Sequence, residues 1–239
     1  MQHPVTNGLR IAITGGTSGL GLALVRQLSA QKARVAFVAR TARNVERIAR
    51  ESGAAGIVGD LGRKDEIYPM AMQITANLGG LDVLINNASS LGPLPLAQLA
   101  DTDCEDLEQA LAVNLVGPFR LTKALLGALA ASARQERGAV VVNISSDAAI
   151  HAYPEWGAYG ASKAGLRHMT SIWDEEVRDA GIRMLSVDPG DMDTPLHAAA
   201  LPDADSAGLK QPAVSAAEII EQILAALPGD ISNATGVPS

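Results

Sequence analysis

The segment at residues 14–21 reads Thr-Gly-Gly-Thr-Ser-Gly-Leu-Gly and directly follows a run of strand-forming residues, LRIAI, at 9–13. A helical pattern of apolar residues begins within the segment. A strand that turns through glycines into a helix presents backbone N–H groups and the positive end of the helix dipole, which together bind phosphate. Gly15 permits a tight turn, Gly19 admits a pyrophosphate, and Gly21 allows close helix packing. The segment predicts a dinucleotide-binding unit; the alternative is an ordinary flexible loop.

The rest of the chain repeats this alternation of strand and helix. Further apolar runs lie at 35–39, 56–59, 83–85, 139–144 and 184–187, and helical patterns lie at 20–30, 44–52, 64–78, 103–113, 118–134, 158–180 and 216–227. The runs do not alternate polar with apolar residues, which is typical of parallel strands covered by helices on both faces. We therefore predict an α/β protein with a Rossmann-type, doubly wound parallel sheet and helices on both faces.

Composition narrows the function classes. The chain has 239 residues, 47% of them apolar, and a net charge of −7. This predicts a single domain over 1–239, with flexible tails at 1–8 and 229–239. An acidic chain without a basic block is not expected to bind nucleic acid or an anionic membrane, and no apolar run is long enough for a bilayer. Cys104 is the only cysteine, and the first residues do not resemble a signal peptide, so we predict a cytoplasmic protein.

Three later residues form a pattern with a chemical purpose. Tyr159 and Lys163 are four residues apart and share one face of a predicted helix. A tyrosine with its ordinary pKa of about 10 is a poor acid–base catalyst at neutral pH, and a nearby ammonium group lowers that pKa. Ser146 precedes Tyr159 by thirteen residues and ends a predicted strand, where a doubly wound sheet places its ligand.

The glycine spacing, Gly-x-x-x-Gly-x-Gly, and the Ser146, Tyr159 and Lys163 set resemble the short-chain dehydrogenase/reductase family over about residues 9–227. The resemblance implies hydride transfer from a nicotinamide cofactor to a carbonyl carbon while Tyr159 protonates the oxygen. It implies that Ser146 orients that oxygen and that Lys163 binds the nicotinamide ribose and lowers the pKa of Tyr159. Asn114 is the fourth catalytic residue by resemblance and holds a water in a proton relay through Lys163. The alternative is a dinucleotide-sensing protein without catalysis.

The resemblance also implies a set of cofactor contacts. These are Gly15, Thr17, Ser18, Gly19, Leu20 and Gly21 in the turn, then Asp60, Leu61, Asn87, Pro189, Gly190 and Thr194, together with Tyr159 and Lys163. Asp60 and Leu61 resemble the adenine-contacting pair, although an aspartate at a strand end is also a common helix cap. Ser89 follows Asn87-Ala88 where relatives usually have glycine. No metal site is predicted.

Arg40 determines the expected choice of dinucleotide. A site for NAD usually has an acidic residue at the end of the second strand. Here Ala39 occupies that position and Arg40 follows it. A guanidinium group pairs with a 2′-phosphate, so we predict NADP(H) rather than NAD(H), and Arg43 could assist. Ser18 is a departure, because NADP-using relatives often have a basic residue there. An NAD-dependent alcohol dehydrogenase, with Arg40 as a solvated charge, is the alternative.

The substrate is expected to be a small carbonyl or alcohol compound, because the segments near the expected pocket, 89–96, 150–156 and 192–200, are largely apolar. The segment 190–212 has loop composition and is either a substrate cover or an ordinary surface excursion. The end of the chain lacks the family's usual tail, which predicts a short or absent seventh strand. By resemblance, the helices at 118–134 and 158–180 pair in a homodimer, with a tetramer as the alternative.

Overall fold

The computed structural model describes residues 6–228. Six parallel strands form one sheet in the order β3-β2-β1-β4-β5-β6. The strands are β1 (Arg10–Thr14), β2 (Arg34–Ala39), β3 (Ala55–Val58), β4 (Val83–Asn86), β5 (Ala139–Ile144) and β6 (Ile182–Val187). The chain order reverses between β1 and β4, so the loops that follow these two strands open a crevice at the carboxyl edge of the sheet.

Eight α-helices accompany the sheet within the described part of the chain. They are α1 (Gly19–Ala30), α2 (Ala42–Ser52), α3 (Ile67–Leu78), α4 (Cys104–Leu111), α5 (Gly117–Arg134), α6 (Gly157–Val177), α7 (Pro195–Ala200) and α8 (Pro212–Ala226). None of the helices between residues 6 and 228 combines the length and the apolar character needed to cross a membrane.

Side chains alternate between two cores, one on each face of the sheet. Ile11 and Ile13 of β1 belong to the core that α1 and α8 cover, whereas Ala12 belongs to the core that α3 and α5 cover. Both faces are buried, and this is why the strands are largely apolar without alternation. The predicted Rossmann-type doubly wound fold is confirmed.

Several predicted boundaries need correction. Thr6 is 2% exposed, and its hydroxyl donates to the carbonyl of Gln31. The backbone N–H of Gly8 donates to Lys32 O at 3.2 Å, so the predicted flexible tail at 1–8 does not extend to Thr6 and Gly8. Residues 1–5 and the predicted tail at 229–239 lie outside the described residues, as does the region expected for a seventh strand. The predicted helix at 64–78 is interrupted, because a 3₁₀ turn precedes α3.

The segment 190–212 is more ordered than its composition predicts. It contains α7, and its two ends are held together by hydrogen bonds from Asp193 N to Lys210 O and from Lys210 N to Asp191 O. Lys210 and Glu218 also form an ion pair that ties the second end to α8. The segment is therefore a loop whose two ends are held together by hydrogen bonds.

Candidate active site

A cleft of about 850 Å³ opens at the carboxyl ends of the strands. Every predicted catalytic and cofactor-binding residue lines it except Gly21 and Asn114. The side chains come from the loops that follow β1 to β6 and from α6. Residues spread over the chain from position 15 to position 201 therefore meet at one edge of the sheet.

The glycine turn is held by hydrogen bonds to neighbouring strands. Gly15 has a φ of +72°, and its N–H donates to Val38 O at 2.8 Å. The Thr14 hydroxyl accepts from the backbone N–H groups of Asn87 and Ala88, each at 3.0 Å, and the Asn87 side chain donates to Thr14 O at 2.8 Å. Asn87 therefore positions the turn from below, besides lining the cleft.

Gly21 acts through packing. A Cβ atom at this position would lie 2.1 Å from Gly15 O and 2.5 Å from the Asn87 amide nitrogen. The first turn of α1 can thus approach the glycine turn only because residue 21 has no side chain. This agrees with the packing role that the sequence predicted.

A Gly21→Ala variant is expected to lose about 1–3 kcal/mol of unfolding free energy, because the new methyl group displaces backbone atoms. Gly127 in α5 is the matched control, since a Cβ atom added there would meet no other atom within 4 Å. Gly127→Ala should raise stability by about 0.5–1 kcal/mol through helix propensity. Urea denaturation measures both changes, and equal stabilities for the two variants would contradict the packing role.

Tyr159 and Lys163 lie in the first turns of α6, as predicted, and both are buried. The Lys163 ammonium donates to Ile144 O at 2.7 Å and lies 5.5 Å from the centroid of the Tyr159 ring. Trp156 packs edge-on against the same ring at 5.7 Å. The phenol is thus held between a cation and an indole, with its hydroxyl in the cleft.

The predicted lowering of the Tyr159 pKa is wrong for this structure. Burial raises the pKa of Tyr159 to about 12, and polar contacts with Ser146 and Ser89 oppose this effect without cancelling it. Burial also lowers the pKa of Lys163 to about 8. Lys163 lies beside the ring and binds Ile144 O, and it is not among the leading causes that act on the Tyr159 pKa. Desolvation therefore dominates both groups.

Asn114 lies behind the cleft, in a π-helical turn (Ala112–Val116) that joins α4 to α5. Its side-chain oxygen accepts from Ser90 N at 2.8 Å and from Ser89 Oγ at 3.3 Å. Its amide nitrogen donates to Ser90 O at 2.7 Å and to Ser162 Oγ at 2.8 Å. All four hydrogen-bonding positions of the amide are therefore occupied. The Asn114 side chain therefore positions the 89–90 backbone and α6. The expectation that Asn114 holds a relay water stays a prediction.

Asp147 lines the cleft but was not predicted near it, whereas Ser89 and Tyr153 were expected only as part of the segments near the pocket. Ser89 replaces the family's usual glycine without a positive φ, and its hydroxyl lies near both Asn114 and the Tyr159 hydroxyl. Asp147 accepts a hydrogen bond from Ser146 Oγ at 3.1 Å and another from the Tyr153 hydroxyl at 2.7 Å. The only sequence signal for Asp147 was its position next to Ser146.

The opposite end of the cleft contains Asp60 and Arg40. Asp60 Oδ1 accepts from Gly62 N at 2.9 Å, which makes a local turn at the cleft. Arg40 is exposed and lines the cleft, whereas Arg43, in the first turn of α2, does not. The predicted assistance from Arg43 is therefore not supported by its position.

The segment after β6 completes the cleft opposite the glycine turn. Gly190 has a φ of +75°, and Pro189 O accepts from the buried Ser215 hydroxyl at 2.9 Å. The Thr194 hydroxyl caps α7 by accepting from His197 N at 3.2 Å. A Cβ atom on Gly19 would lie 3.1 Å from the Thr194 methyl group, so Gly19 also permits this segment to approach the turn.

Fold and cleft together define a Rossmann-type α/β enzyme with a serine, tyrosine and lysine at the carboxyl edge of its sheet. A family model described as short chain dehydrogenase matches residues 10–205. The chain belongs to the short-chain dehydrogenase/reductase family. It is an oxidoreductase of this family, the class that acts on CH–OH and C=O groups with NAD(P).

Named relatives differ in their printed activities. Carbonyl reductase family member 4 of Xenopus tropicalis is 33% identical over 180 residues, which cover 75% of this chain and 73% of that protein. L-fucose dehydrogenase of Mus musculus is 31% identical over 192 residues, with 80% and 67% covered. A short-chain type dehydrogenase/reductase of Sinorhizobium fredii is 33% identical over 199 residues; these cover 82% of this chain and 35% of that longer relative.

Solved structures show the same fold. A short chain dehydrogenase from Shigella flexneri, complexed with NADP, superposes with a TM-score of 0.81 at 26% identity, covering 97% of this chain and 96% of that chain. One from Pseudomonas syringae has a TM-score of 0.82 at 27% identity, with 98% and 94% covered.

Proposed function

We propose that the chain is an NADP(H)-dependent oxidoreductase that interconverts a carbonyl and a secondary alcohol, with Tyr159 as the general acid and base. The observation that carries the proposal is the meeting of Ser146, Tyr159 and Lys163 with the glycine turn in one cleft. The relatives named as a carbonyl reductase and a sugar dehydrogenase support the reaction class.

The cleft fits a dinucleotide. The turn at 14–21 presents the N-terminus of α1 to it, and glycines stand where a Cβ atom would meet Asn87 or Thr194. Ser145, directly after β5, lines the cleft and is 5% exposed, and its hydroxyl has no hydrogen-bond partner among the described residues. Because the glycine turn begins α1 at the cleft, we assign Gly15, Ser18 and Gly19 to the phosphates. We assign Asp60 to the adenine and Lys163 to the nicotinamide ribose.

The chain's own groups then provide proton transfer and orientation. The bound dinucleotide supplies or accepts the hydride. In reduction, Tyr159 donates its proton to the substrate oxygen, and in oxidation its phenolate accepts the proton of the alcohol. Ser146 donates a hydrogen bond to the same oxygen. Lys163, held by Ile144 O beside the Tyr159 ring, is assigned to binding the nicotinamide ribose.

The preference for NADP(H) rests on Arg40. None of the ion pairs found within residues 6–228 involves Arg40, so its guanidinium group is available to a 2′-phosphate at the cleft. Ala39 beside it offers no carboxylate to a ribose hydroxyl. Both features favour NADP(H) over NAD(H).

Arg40→Ala is expected to weaken NADPH binding about 10–100-fold, the value of a charge-assisted hydrogen bond, and to change NADH binding little. Arg43→Ala is the matched control, because Arg43 lies three residues away and outside the cleft lining. Titrations followed through tryptophan fluorescence, to which Trp156 in the cleft lining contributes, give the dissociation constants. Tighter binding of NADH by the unmodified chain would contradict the NADP(H) assignment and favour the NAD-dependent alternative.

Association as a homodimer, with a tetramer as the alternative, remains a prediction, as does the cytoplasmic location. On the outer side of α5 and α6, Phe119 is 38% exposed and packs against Trp173 in a tilted arrangement, with the ring centroids 5.4 Å apart. Such an apolar contact is compatible with the predicted pairing of these helices.

A further inference from the structure

The hydroxyl of Ser146 is already engaged on both sides. It donates to Asp147 Oδ1 at 3.1 Å and accepts from Ala148 N at 3.2 Å. The second oxygen of Asp147 accepts from the Tyr153 hydroxyl at 2.7 Å. Ser146, Asp147 and Tyr153 all line the cleft, so this chain of hydrogen bonds begins at the group that binds the substrate oxygen.

The Asp147 carboxylate is not required to cap the turn that it begins. Ser146 already caps the short turn Asp147–Ala149 through its own side chain. The hydrogen bond from Tyr153 lowers the pKa of Asp147, so the group is a carboxylate at neutral pH. Asp147 lines the cleft together with Asp188 and Asp191, and its two carboxylate oxygens accept from Ser146 and Tyr153. Asp147 is therefore a charged hydrogen-bond acceptor within the cleft.

Substrate binding changes the hydrogen bonds that the Asp147 carboxylate accepts. A serine hydroxyl has one hydrogen, so Ser146 cannot donate to a carbonyl oxygen and to Asp147 together. When Ser146 turns to the substrate, Asp147 Oδ1 loses its donor. Ser146 Oγ and Asp147 Oδ1 lie 3.1 Å apart, so a substrate that bonds to both must carry its donor close to its carbonyl oxygen. A hydroxyl on the carbon next to the carbonyl meets this requirement.

We propose that the cleft takes α-hydroxyketones and, in the reverse direction, vicinal diols, with Asp147 accepting a hydrogen bond from the hydroxyl next to the reacting carbon. Tyr153 fixes the carboxylate from the other side. The inference rests on the proposed oxidoreductase function and names the substrate class of that same site. Trp156, Leu94 and Leu196 line the cleft as apolar groups for the rest of the substrate.

The surrounding charges act against anionic substrates. Asp188 and Asp191 line the cleft with Asp147, and all three contribute to a raised pKa of Tyr153. Among the described residues, two cationic side chains line the cleft, Arg40 at the far end and Lys163 beneath the Tyr159 ring. His197 is the other basic residue in the lining. An α-keto acid would therefore bring its carboxylate towards like charges.

The test compares α-hydroxyacetophenone with α-methoxyacetophenone, which differ in a hydrogen-bond donor next to the carbonyl. The unmodified chain should prefer the hydroxyketone about tenfold or more in kcat/KM. Asp147→Asn should bring the ratio close to one, because the amide is a neutral and weaker acceptor. Because both ketones are measured in the same variant, a general effect of the substitution on Ser146 cancels in the ratio of the two kcat/KM values. Asp65→Asn, at an exposed position outside the cleft, should keep the unmodified ratio.

Binding gives a second readout that needs no turnover. Phenylethanediol should bind the unmodified chain about tenfold or more tightly than it binds Asp147→Asn, as measured by the quenching of tryptophan fluorescence. The inference is overturned if the unmodified chain turns over the hydroxyketone and the methoxyketone with nearly equal kcat/KM, a result that needs no variant. It is also overturned if the ratio of these two kcat/KM values is the same in Asp147→Asn as in the unmodified chain. In both cases turnover of the ketones leaves the proposed function intact. If neither NADPH nor NADH supports turnover of any carbonyl compound, the proposed function and this inference fail together.

Discussion

A Tyr159→Phe variant is expected to lose about a thousandfold or more in kcat while binding the dinucleotide almost unchanged, because only the proton-transferring hydroxyl is removed. The phenylalanine ring can retain the packing of Tyr159 against Trp156 and Lys163. Steady-state rates measured through nicotinamide absorbance, together with cofactor titrations, separate the two effects. Near-normal turnover in this variant would remove Tyr159 from the mechanism.

Tyr68→Phe is the matched control, since it deletes a phenol hydroxyl from a side chain that is 69% exposed on α3. Its rates should equal those of the unmodified chain. The raised pKa of Tyr159, about 12, also sets the pH dependence. The Tyr159 phenol stays protonated through neutral pH, so the rate of reduction should not fall there for lack of the general acid. Oxidation needs the phenolate, so its rate should increase as pH rises.

Asp82→Asn is expected to lower the free energy of unfolding by about 3–5 kcal/mol, because it leaves two arginines without their counter-charge. Asp82, immediately before β4, is 0% exposed and pairs with Arg10 at 2.6 Å and Arg137 at 2.8 Å. The Ser132 hydroxyl and the Arg10 backbone N–H also donate to it. One carboxylate thus joins β1, β4 and the end of α5, at the edge of the sheet opposite the cleft.

Denaturation at several pH values tests the same group further. Burial acts to raise the pKa of Asp82, but hydrogen bonds from Arg137, Arg10 and Ser132 hold it well below its ordinary value. A lowered folded-state pKa contributes stability above the unfolded value of about 3.9 that is lost as pH falls towards the folded value. The difference between the unmodified chain and Asp82→Asn should therefore shrink below about pH 4.

The exposed Asp65, which pairs with Arg63, supplies the control for Asp82. Asp65→Asn should cost less than about 1 kcal/mol, as surface ion pairs do. Because Asp82 lies far from the cleft edge, the folded Asp82→Asn variant should keep the kcat of the unmodified chain. Equal stabilities of the two asparagine variants would contradict the proposed role of the buried network.

The glycine turn and the parallel sheet were predictable because both depend on local features. Gly15 needs a positive φ, and residues 11–13 are apolar without alternation because both faces of β1 are buried. The spacing of Ser146 and Tyr159 was likewise readable, since a strand end and a helix start have fixed directions. Boundaries such as the start of α3 were less accurate, because terminal turns have little sequence signal of their own.

The electrostatic state of the site was not predictable in the same way. The four-residue spacing of Tyr159 and Lys163 suggested that the ammonium would lower the phenol pKa. The sign of the shift depends on how deeply the ring is buried and where the ammonium is bound, which here is Ile144 O. Asn114 is a similar case, because its partners Ser90 and Ser162 are brought to it only by folding.

The sequence by itself therefore determined the fold class, the family and the set of residues that meet at the carboxyl edge of the sheet. The fold class follows from periodicity and glycine placement, whereas the family and the roles of the site residues follow from the resemblance of the motifs to the short-chain dehydrogenase/reductase family. Only the tertiary structure decided that Asn114 is saturated, that burial raises the Tyr159 pKa, and that Asp147 joins Ser146 to Tyr153. Desolvation and hydrogen-bond partnership depend on neighbours distant in the chain, and no spacing encodes them.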